Sequence, residues 1–231
     1  MITVPVRSVI RATPRTRFIN LDLSTAAFTF AAGQAVMVGL HASPLRKPYS
    51  VASAPWEVEK TGVLQLLAQV ELTGSPDPHL ELASPGTMID VDGPMGTFAL
   101  PSDSDEAPLL FVAGGTGIAP LRSMLMDRLS RSRGLSVAVV YSARSADEFA
   151  YRSELEAMAS AGRIAVMFTV TRPEGDWNGR RGRIDEALLA EALPGANAIC
   201  LICGPPALVS SVRELLVQLG VSRERVLTER Y

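Results

Sequence analysis

The sequence predicts two domains, an antiparallel Greek-key β-barrel followed by an α/β domain with a doubly wound, parallel, five-stranded sheet. Two observations lead to this prediction. Up to about residue 100, apolar residues come in short, partly alternating runs separated by Gly, Pro, Ser and Asp, which is the pattern of antiparallel strands. After residue 107, apolar runs alternate with amphipathic stretches long enough to be helices. The 231 residues are enough for two small domains.

Each element follows from one such run. The first-half strands, typical of a small barrel or sandwich, are predicted at Val4–Arg11, Thr16–Leu23, Gln34–Leu40, Tyr49–Ser53, Leu64–Glu71 and Met88–Val91. The polar, acidic stretch 101–107 is the predicted linker between domains 1–100 and 108–231. Parallel strands are predicted at Leu109–Ala113, Ser136–Tyr141, Ile164–Val170, Ala198–Cys203 and Arg225–Thr228. Crossover helices are predicted at Ala119–Ser130, Ala146–Ala159, Ile184–Leu193 and Pro206–Leu219.

Composition excludes several classes of protein. A net charge of −2, without a basic stripe carrying interleaved aromatics, argues against nucleic-acid binding. Two cysteines exclude a disulfide scaffold and a [2Fe–2S] centre ligated by four cysteines of this chain.

No signal-peptide pattern and no run near the roughly 20 apolar residues of a membrane span are present, so we expect a cytoplasmic protein. His79 has no second ligand at a useful spacing, so no metal site is predicted. The sequence does not indicate an oligomeric state.

A glycine-rich turn follows the first predicted parallel strand and opens a helix. It reads Gly114-Gly115-Thr116-Gly117-Ile118-Ala119-Pro120. Glycines let the backbone approach a ligand closely, and the helix N-terminus presents N–H groups and a partial positive charge. The spacing differs from the usual G-x-G-x-x-G, and such a turn is also used purely as a structural device. Its position at the carboxyl end of a strand in a doubly wound sheet favours binding of a dinucleotide pyrophosphate.

A second candidate site lies in the barrel half, in the octet Arg46-Lys47-Pro48-Tyr49-Ser50-Val51-Ala52-Ser53. A cation, an aromatic ring and a hydroxyl at alternating strand positions would contact the phosphate, the ring and the edge of a flavin. Taken alone, the octet is equally consistent with a surface Lys/Arg pair beside an ordinary strand tyrosine.

The two cysteines, Cys200 and Cys203, end the fourth predicted parallel strand. Their C-x-x-C spacing suggests a redox or zinc site. Residues three apart in a strand point to opposite faces, so the two sulfurs should diverge. We therefore predict that Cys200 is buried and structural, and that Cys203, at the carboxyl end of the strand, lines the ligand crevice.

Several motifs occur together in a family-specific order. Lys-Pro-Tyr-Ser, Gly-Pro-Met-Gly-Thr-Phe, Gly-Gly-Thr-Gly-Ile-Ala-Pro, Cys-Gly-Pro-Pro and a terminal Glu-Arg-Tyr resemble the ferredoxin–NADP(+) reductase family of flavoproteins. The resemblance covers essentially the whole chain. It implies a flavin held by the barrel and NAD(P)H held by the Rossmann-like second domain, with hydride passing from nicotinamide C4 to flavin N5. Electrons would then pass to a separate protein such as a ferredoxin, a flavodoxin or an oxygenase component.

The resemblance also implies roles for individual residues. Tyr49 would pack on the isoalloxazine with Ser50 beside N5, and Cys203 would lie beside the nicotinamide. Glu229 would lie near the redox centre, and Tyr231 would cover the other flavin face and swing aside for the nicotinamide. The predicted catalytic residues are Ser50, Cys203, Glu229 and Tyr231. The predicted cofactor-binding residues are Arg46, Lys47, Pro48, Tyr49, Ser50, Val51, Gly74, Ser75, Gly114, Gly115, Thr116, Gly117, Pro120, Arg144, Thr171, Arg172, Cys203, Gly204, Pro205 and Tyr231.

The sequence departs from the family pattern at two places. The phosphate-binding Arg two residues before the Tyr is Lys47 here, with Arg46 one place earlier. The family's G-x-x-S-x-x-L segment aligns with Gly74-Ser75-Pro76-Asp77-Pro78-His79-Leu80. Asp77 would repel a phosphate there unless it turns away to cap the helix. We favour FAD over FMN because the short helix and Gly74 remain.

The choice between NADPH and NADH depends on what lies near the ribose 2′ position. The candidates that follow the second and third parallel strands, where a 2′-phosphate would lie, are Arg144, Thr171-Arg172 and Arg180-Arg181-x-Arg183. This slightly favours NADPH over NADH, although Arg144 resembles an arginine found in both kinds of relative. The predicted function is an NAD(P)H-dependent flavin reductase serving a separate acceptor protein. The alternatives are a non-autonomous electron-transfer subunit of a larger redox complex and a nucleotide-binding module without flavin.

Overall fold

The computed structural model of the protein describes residues 1–70, 77–131, 134, 136–173, 175 and 177–231. The chain forms two compact units. Met1–Leu100 and Arg122–Asp127 make up the first unit, and Pro101–Leu121 and Arg128–Tyr231 make up the second.

The first unit is a closed antiparallel barrel, as predicted. Its elements are β1 (Ile2–Thr13), β2 (Thr16–Asp22), β3 (Ala35–Leu40), β4 (Lys47–Ser50), α1 (Pro55–Thr61), β5 (Val63–Gln69) and β6 (Met88–Met95). The strand order is β4-β3-β6-β1-β2-β5, and a bridge between Val51 and Leu66 joins the two ends of the sheet. Thus β3, β4 and β5 follow one another around the barrel and β6 returns beside β3, which is a Greek key.

The inward side chains of these strands form the barrel core. Val4, Val6, Ile19, Leu21 and Leu64 are at most 2% exposed, and each lies at an alternating strand position. The alternation seen in the sequence therefore corresponds to one buried face per strand.

Residues at both ends of α1 define where this helix begins and ends. Pro55 occupies its first turn, where the missing N–H costs nothing. Glu57 reaches back to accept a hydrogen bond of 2.8 Å from the backbone N–H of Ala54. Gly62 ends the helix with a left-handed φ of 66°.

The second unit is a parallel sheet with helices in the crossovers. Its elements are β7 (Leu109–Gly114), α2 (Ile118–Arg131, of which 122–127 count with the first unit), β8 (Val137–Ala143), α3 (Arg152–Ser160), β9 (Ala165–Val170), β10 (Arg180–Arg181), α4 (Glu186–Ala192), β11 (Ile199–Gly204), α5 (Pro206–Gln218) and β12 (Val226–Arg230). The order β10-β9-β8-β7-β11-β12 reverses direction at β7, so the sheet is doubly wound.

Two details of this unit differ from the sequence prediction. The sheet has six strands rather than five, because Arg180–Arg181 pairs with Thr169 and Val170; two residues are too short to give a sequence pattern. The helix predicted at Ala146–Ala159 is split into a 3₁₀ turn at Ala146–Glu148 and α3. Tyr151, with a φ of 60°, separates the two because a left-handed residue cannot continue a helix.

The segment predicted to be the linker is held by arginines of the second unit. Arg128 is almost fully buried and donates a hydrogen bond of 3.0 Å to the Ser104 carbonyl. Arg131 pairs with Asp105 at 2.7 Å. The acidic side chains of this segment are therefore used as anchors for neighbouring cations. Among the described residues, no helix is both long and apolar enough to cross a membrane.

Candidate functional site

The predicted flavin segment forms β4 and the turn after it. Tyr49 lies opposite Val36 of β3, is 8% exposed and belongs to the barrel core cluster. Val51 is fully buried and donates its N–H to the Gln34 carbonyl at 2.9 Å. Pro48 is exposed and Ser50 is half-buried. Since side chains alternate along a strand, Lys47 and Tyr49 share one face of β4, and Pro48 and Ser50 share the other.

The two cations of this segment both face carboxylates. Arg46 Nη2 lies 2.7 Å from Asp90 Oδ2, and Lys47 Nζ lies 3.1 Å from Asp77 Oδ1. Asp77 is not a helix cap, since the 3₁₀ turn that follows begins after His79 and has no side-chain cap. The carboxylate that was expected to repel a phosphate or cap a helix is instead the ion-pair partner of Lys47. The predicted residues Gly74 and Ser75 lie outside the described residues.

Asp90 is a buried acceptor for three side chains. Its Oδ1 accepts a hydrogen bond of 2.6 Å from Thr3 and lies 2.8 Å from Nδ1 of His41, while its Oδ2 accepts from Arg46. These contacts, that of Thr3 above all, lower the pKa of Asp90 from 3.8 to about 2. Gly39 makes room for this arrangement, since a side chain there would overlap Leu45 and Arg46.

The glycine loop of the second unit connects β7 to α2 through a 3₁₀ turn at Gly115–Gly117. Gly115 has a left-handed φ of 55°, which favours glycine. A Cβ at Gly117 would overlap the Cys203 carbonyl, so this position needs glycine for steric reasons. Thr116 is half-buried, and Pro120 is buried in the first turn of α2, where its missing N–H is tolerated.

Two tyrosine hydroxyls hold successive carbonyls of this loop. Tyr231 donates to the Gly114 carbonyl at 2.8 Å, and Tyr141 donates to the Gly115 carbonyl at 2.9 Å. Burial raises the pKa of Tyr141, so its hydroxyl remains a donor. With its carbonyls bound to these hydroxyls, the loop keeps the fixed shape that a backbone phosphate site requires.

Cys203 and Glu229 are neighbours in register on β11 and β12, and Cys203 is also paired with Ala113 of β7. The Cys203 thiol lies 3.8 Å from Glu229 Oε2 and can donate to it. Burial, and then the charge of Glu229, raise the pKa of Cys203 well above its ordinary value, so the sulfur stays protonated. The next residues, Gly204 and Pro205, lead out of β11.

Cys200 and Cys203 are both free thiols. Cys200 is fully buried, and this burial raises its pKa to about 12. It therefore has the buried environment that the sequence predicted for a structural cysteine. Cys203 is 2% exposed, so it lies at the carboxyl edge of the sheet but beneath its surface.

The predicted 2′-phosphate residues come together at the ends of β8 and β9. The backbone N–H of Arg172 donates to the Arg144 carbonyl at 2.8 Å, and that of Thr171 donates to the Ala143 carbonyl at 3.0 Å. Arg144, Thr171 and Arg172 all have exposed side chains. Two guanidinium groups are thus carried by adjacent loops at one edge of the sheet.

Sequence reasoning missed three residues that shape these sites. Tyr141 is hidden in a buried strand, and its role depends on a loop that is distant in sequence. Asp90 could have been noticed as one acidic residue inside the apolar run 88–91. Arg122, a member of the first unit, forms two hydrogen bonds of 2.8 and 3.0 Å with Glu57 and donates to the Ala52 carbonyl at 2.9 Å. Arg122 fixes the chain after β4, and no local sequence pattern indicates this role.

Both sites fit the groups that the resemblance implies. The glycine loop, where Gly117 leaves no room for a Cβ and α2 begins, is a backbone cradle suited to a dinucleotide pyrophosphate. The Lys47–Ser50 strand carries a cation, an aromatic ring and a hydroxyl, the kinds of group that a flavin phosphate, ring and edge require, although Tyr49 is 8% exposed and Ser50 lies on the other face of β4. The described residues contain no group of three or more side chains that could hold a metal ion.

Two family models match this chain, one in each half. Residues 3–100 match the oxidoreductase FAD-binding domain, and residues 111–214 match the oxidoreductase NAD-binding domain. Ferredoxin–NADP reductase B of Sorangium cellulosum is 37% identical over 215 residues, covering 89% of this chain and 86% of that protein. One subunit of the Na(+)-translocating NADH-quinone reductase of Klebsiella pneumoniae is 30% identical over 206 residues, covering 80% of this chain and 49% of that subunit.

Solved structures have the same fold. A ferredoxin NADP+ reductase from Neisseria gonorrhoeae with bound FAD and NADP gives a TM-score of 0.83 at 21% identity, over 99% of this chain and 98% of that one. The Amycolatopsis cytochrome P450 reductase GcoB gives 0.85 at 24% identity, over 99% of this chain and 68% of that one. With a barrel, a doubly wound sheet and matches over both halves, this chain belongs to the ferredoxin–NADP(+) reductase family of flavoprotein oxidoreductases.

Proposed function

We propose that this protein is a cytoplasmic reductase that takes hydride from NADPH or NADH onto FAD and passes the electrons to a separate acceptor protein. The observation that carries the proposal is the gathering of four features at the carboxyl edge of one sheet. The glycine loop follows β7, Cys203 lies near the end of β11, Glu229 lies near the end of β12, and Tyr231 follows β12. In a doubly wound sheet this edge is where ligands bind.

In this proposal residues 1–100 hold the flavin and residues 108–231 hold the pyridine nucleotide. Lys47 would bind a flavin phosphate, Tyr49 would pack on the ring, and Ser50 would lie beside its reactive edge. Gly114–Gly117 and the start of α2 would hold the nucleotide pyrophosphate through backbone N–H groups.

When bound, the two cofactors supply the hydride chemistry, and the protein supplies position and a dry environment. Cys203 presents a neutral thiol at the edge of β11, because burial and Glu229 raise its pKa and so oppose its ionisation. Glu229 accepts the hydrogen of that thiol, which fixes the sulfur relative to the end of the strand. Both would border the nicotinamide, where small changes of position have large effects on rate.

The exposed pair Arg144 and Arg172 supports NADPH as the donor, since guanidinium groups bind a 2′-phosphate in a forked geometry. A ferredoxin, a flavodoxin or an oxygenase component would be the acceptor, and ferredoxin is named for two of the reductases that this chain resembles. The similarity to one component of an NADH-quinone reductase favours one alternative, a subunit that works only within a larger redox complex. Steady reduction of a small artificial acceptor by the purified chain would reject that alternative.

The test is the visible spectrum of the purified protein and identification of its extracted flavin, followed by anaerobic addition of NADPH or NADH. We expect FAD, and bleaching of the flavin band that is faster with NADPH. A colourless protein that neither FAD nor FMN reconstitutes would overturn the proposal and favour a nucleotide-binding module without flavin.

A further inference from the structure

Adjacent cations of the Arg46–Ser50 segment have carboxylate partners of very different kinds. Arg46 pairs with Asp90, and Lys47 pairs with Asp77. A phosphate arriving at this segment has to replace one of these carboxylates or share its cation. The two pairs differ in how easily that can happen.

A phosphate cannot replace Asp90 as the partner of Arg46 without a large free-energy cost. The Asp90 side chain is 6% exposed and holds Thr3 and His41 as well as Arg46. Arg46 also donates to the Leu40 carbonyl at 3.1 Å. Withdrawing Arg46 would leave a buried carboxylate without its guanidinium, which is costly.

The Lys47–Asp77 pair is open to solvent. The two side chains are 35% and 27% exposed, and the atoms that face each other are 3.1 Å apart. Half-exposed ion pairs of this kind contribute at most about 1 kcal/mol. The pyrophosphate of FAD carries two negative charges over its two phosphate groups and has more acceptor oxygens than a carboxylate, so it can take over the ammonium of Lys47.

We propose that Asp77 is the resident counter-ion of Lys47, that it competes with a flavin phosphate for this ammonium, and that it thereby sets flavin affinity. Asp77 is then a positioning residue that acts through Lys47. The inference rests on the proposed function, because it takes Lys47 as the phosphate ligand. It explains how an acidic residue is accommodated in the segment where the family binds phosphate.

The test measures the dissociation constant of FAD from flavin-free protein by quenching of flavin fluorescence, without any turnover. Four proteins are compared: wild type, Asp77→Asn, Lys47→Gln and the double variant. We expect Asp77→Asn to bind FAD about threefold more tightly, because the competing charge of a half-exposed pair is gone. Lys47→Gln should bind at least about tenfold more weakly, because a charge-assisted hydrogen bond is lost.

The decisive measurement is the double variant. If Asp77 acts through Lys47, the gain from Asp77→Asn disappears when Lys47 is already Gln. Asp92→Asn is the matched control, since Asp92 is an exposed carboxylate of the same unit that pairs with the terminal amine of Met1 at 3.6 Å. That variant should bind FAD like the wild type. Circular dichroism confirms that each variant is folded.

Each other outcome overturns the inference in a recognisable way. An equal gain in the Lys47→Gln background would mean that Asp77 repels the flavin directly, independent of Lys47. No gain, or weaker binding, in Asp77→Asn alone would mean that the carboxylate does not compete. Failure of the wild type itself to bind FAD would overturn the proposed function, and this result is distinguishable because it precedes any variant.

Discussion

The glycine loop and the Arg46–Ser50 segment are both proposed phosphate sites, yet they are built from different materials. The loop offers backbone groups whose positions are fixed by close packing on β11 and by two tyrosine hydroxyls. The segment offers two side-chain cations, each of which already has a carboxylate partner. A site of the first kind is sensitive to shape, whereas a site of the second kind is sensitive to competing charge.

The largest effect should come from breaking the shape of the backbone site with Gly117→Ala. The added Cβ would overlap the Cys203 carbonyl and would stand 2.9 Å from the Gly204 nitrogen, and backbone atoms cannot move aside alone. We expect unfolding stability to fall by about 2–3 kcal/mol and NADP(+) affinity to fall at least about tenfold. Urea denaturation and nucleotide titration measure the two effects.

Gly115→Ala is the matched comparison for that variant. It needs a φ of 55°, but its Cβ would meet only the flexible end of Tyr231. We expect it to cost about 1 kcal/mol from backbone strain, and the added Cβ would also displace the Tyr231 hydroxyl, which it would approach to 2.7 Å. Equal losses in the two glycine variants would show that the packing of Gly117 on β11 is not what shapes the loop.

The second-largest effect should come from Asp90→Asn, which removes the charge of the carboxylate that pairs with Arg46. In the folded protein the pKa of Asp90 is about 2, below its ordinary value of 3.8. Its contribution to stability is therefore present above about pH 4 and lost as the pH falls towards 2. We expect Asp90→Asn to lose about 2 kcal/mol at pH 7, since three donors lose a charged acceptor.

Urea unfolding at a series of pH values checks this prediction. The wild type should lose stability between about pH 4 and pH 2, and Asp90→Asn should show a smaller loss over that range. The exposed Asp92→Asn should behave like the wild type. A pH profile that Asp90→Asn leaves unchanged would mean that other carboxylates cause the acid sensitivity.

The same contrast explains what the sequence could predict. The strands, the crossover helices and the glycine loop are local patterns, so their periodicity and turn residues are visible in the chain. The partners of Lys47, Arg46 and the loop carbonyls lie far away in sequence. Nothing local to Asp77 indicates that it meets Lys47, and nothing near Tyr141 indicates that its hydroxyl supports Gly115. Which side chains pair with one another depends on the fold, so a single sequence gives little information about these pairs.

Cys203→Ala tests the chemistry proposed beside the glycine loop, at the carboxyl edge of the parallel sheet. The Cys203 thiol lies 3.8 Å from the Glu229 carboxylate and would border the nicotinamide. We expect about tenfold slower flavin reduction, with flavin retained, because positioning at the reacting centre is disturbed while the barrel is untouched. Stopped-flow absorbance measures the rate.

Cys200→Ala provides the control, since Cys200 is fully buried three residues earlier on the same strand. It should reduce stability and leave the rate of flavin reduction close to that of the wild type. If Cys203→Ala behaves in the same way as Cys200→Ala, Cys203 is structural and has no part in hydride transfer.

The smallest effect should come from Tyr231→Phe. This variant tests whether the Tyr231 side chain also controls nucleotide binding at the glycine loop. The Tyr231 hydroxyl donates to the Gly114 carbonyl and lies over Gly115, in the loop where the nucleotide pyrophosphate would bind. If Tyr231 has to leave this position for the nicotinamide to bind, Tyr231→Phe removes a hydrogen bond that would have to break, so NADP(+) should bind about threefold more tightly. Weaker binding would mean that the hydroxyl mainly holds the loop in shape. Deleting Tyr231 should raise affinity at least as much, because the ring leaves as well. Nucleotide affinity and turnover that are unchanged in both variants would reject a gating role for Tyr231, and the glycine loop would then depend on backbone shape alone.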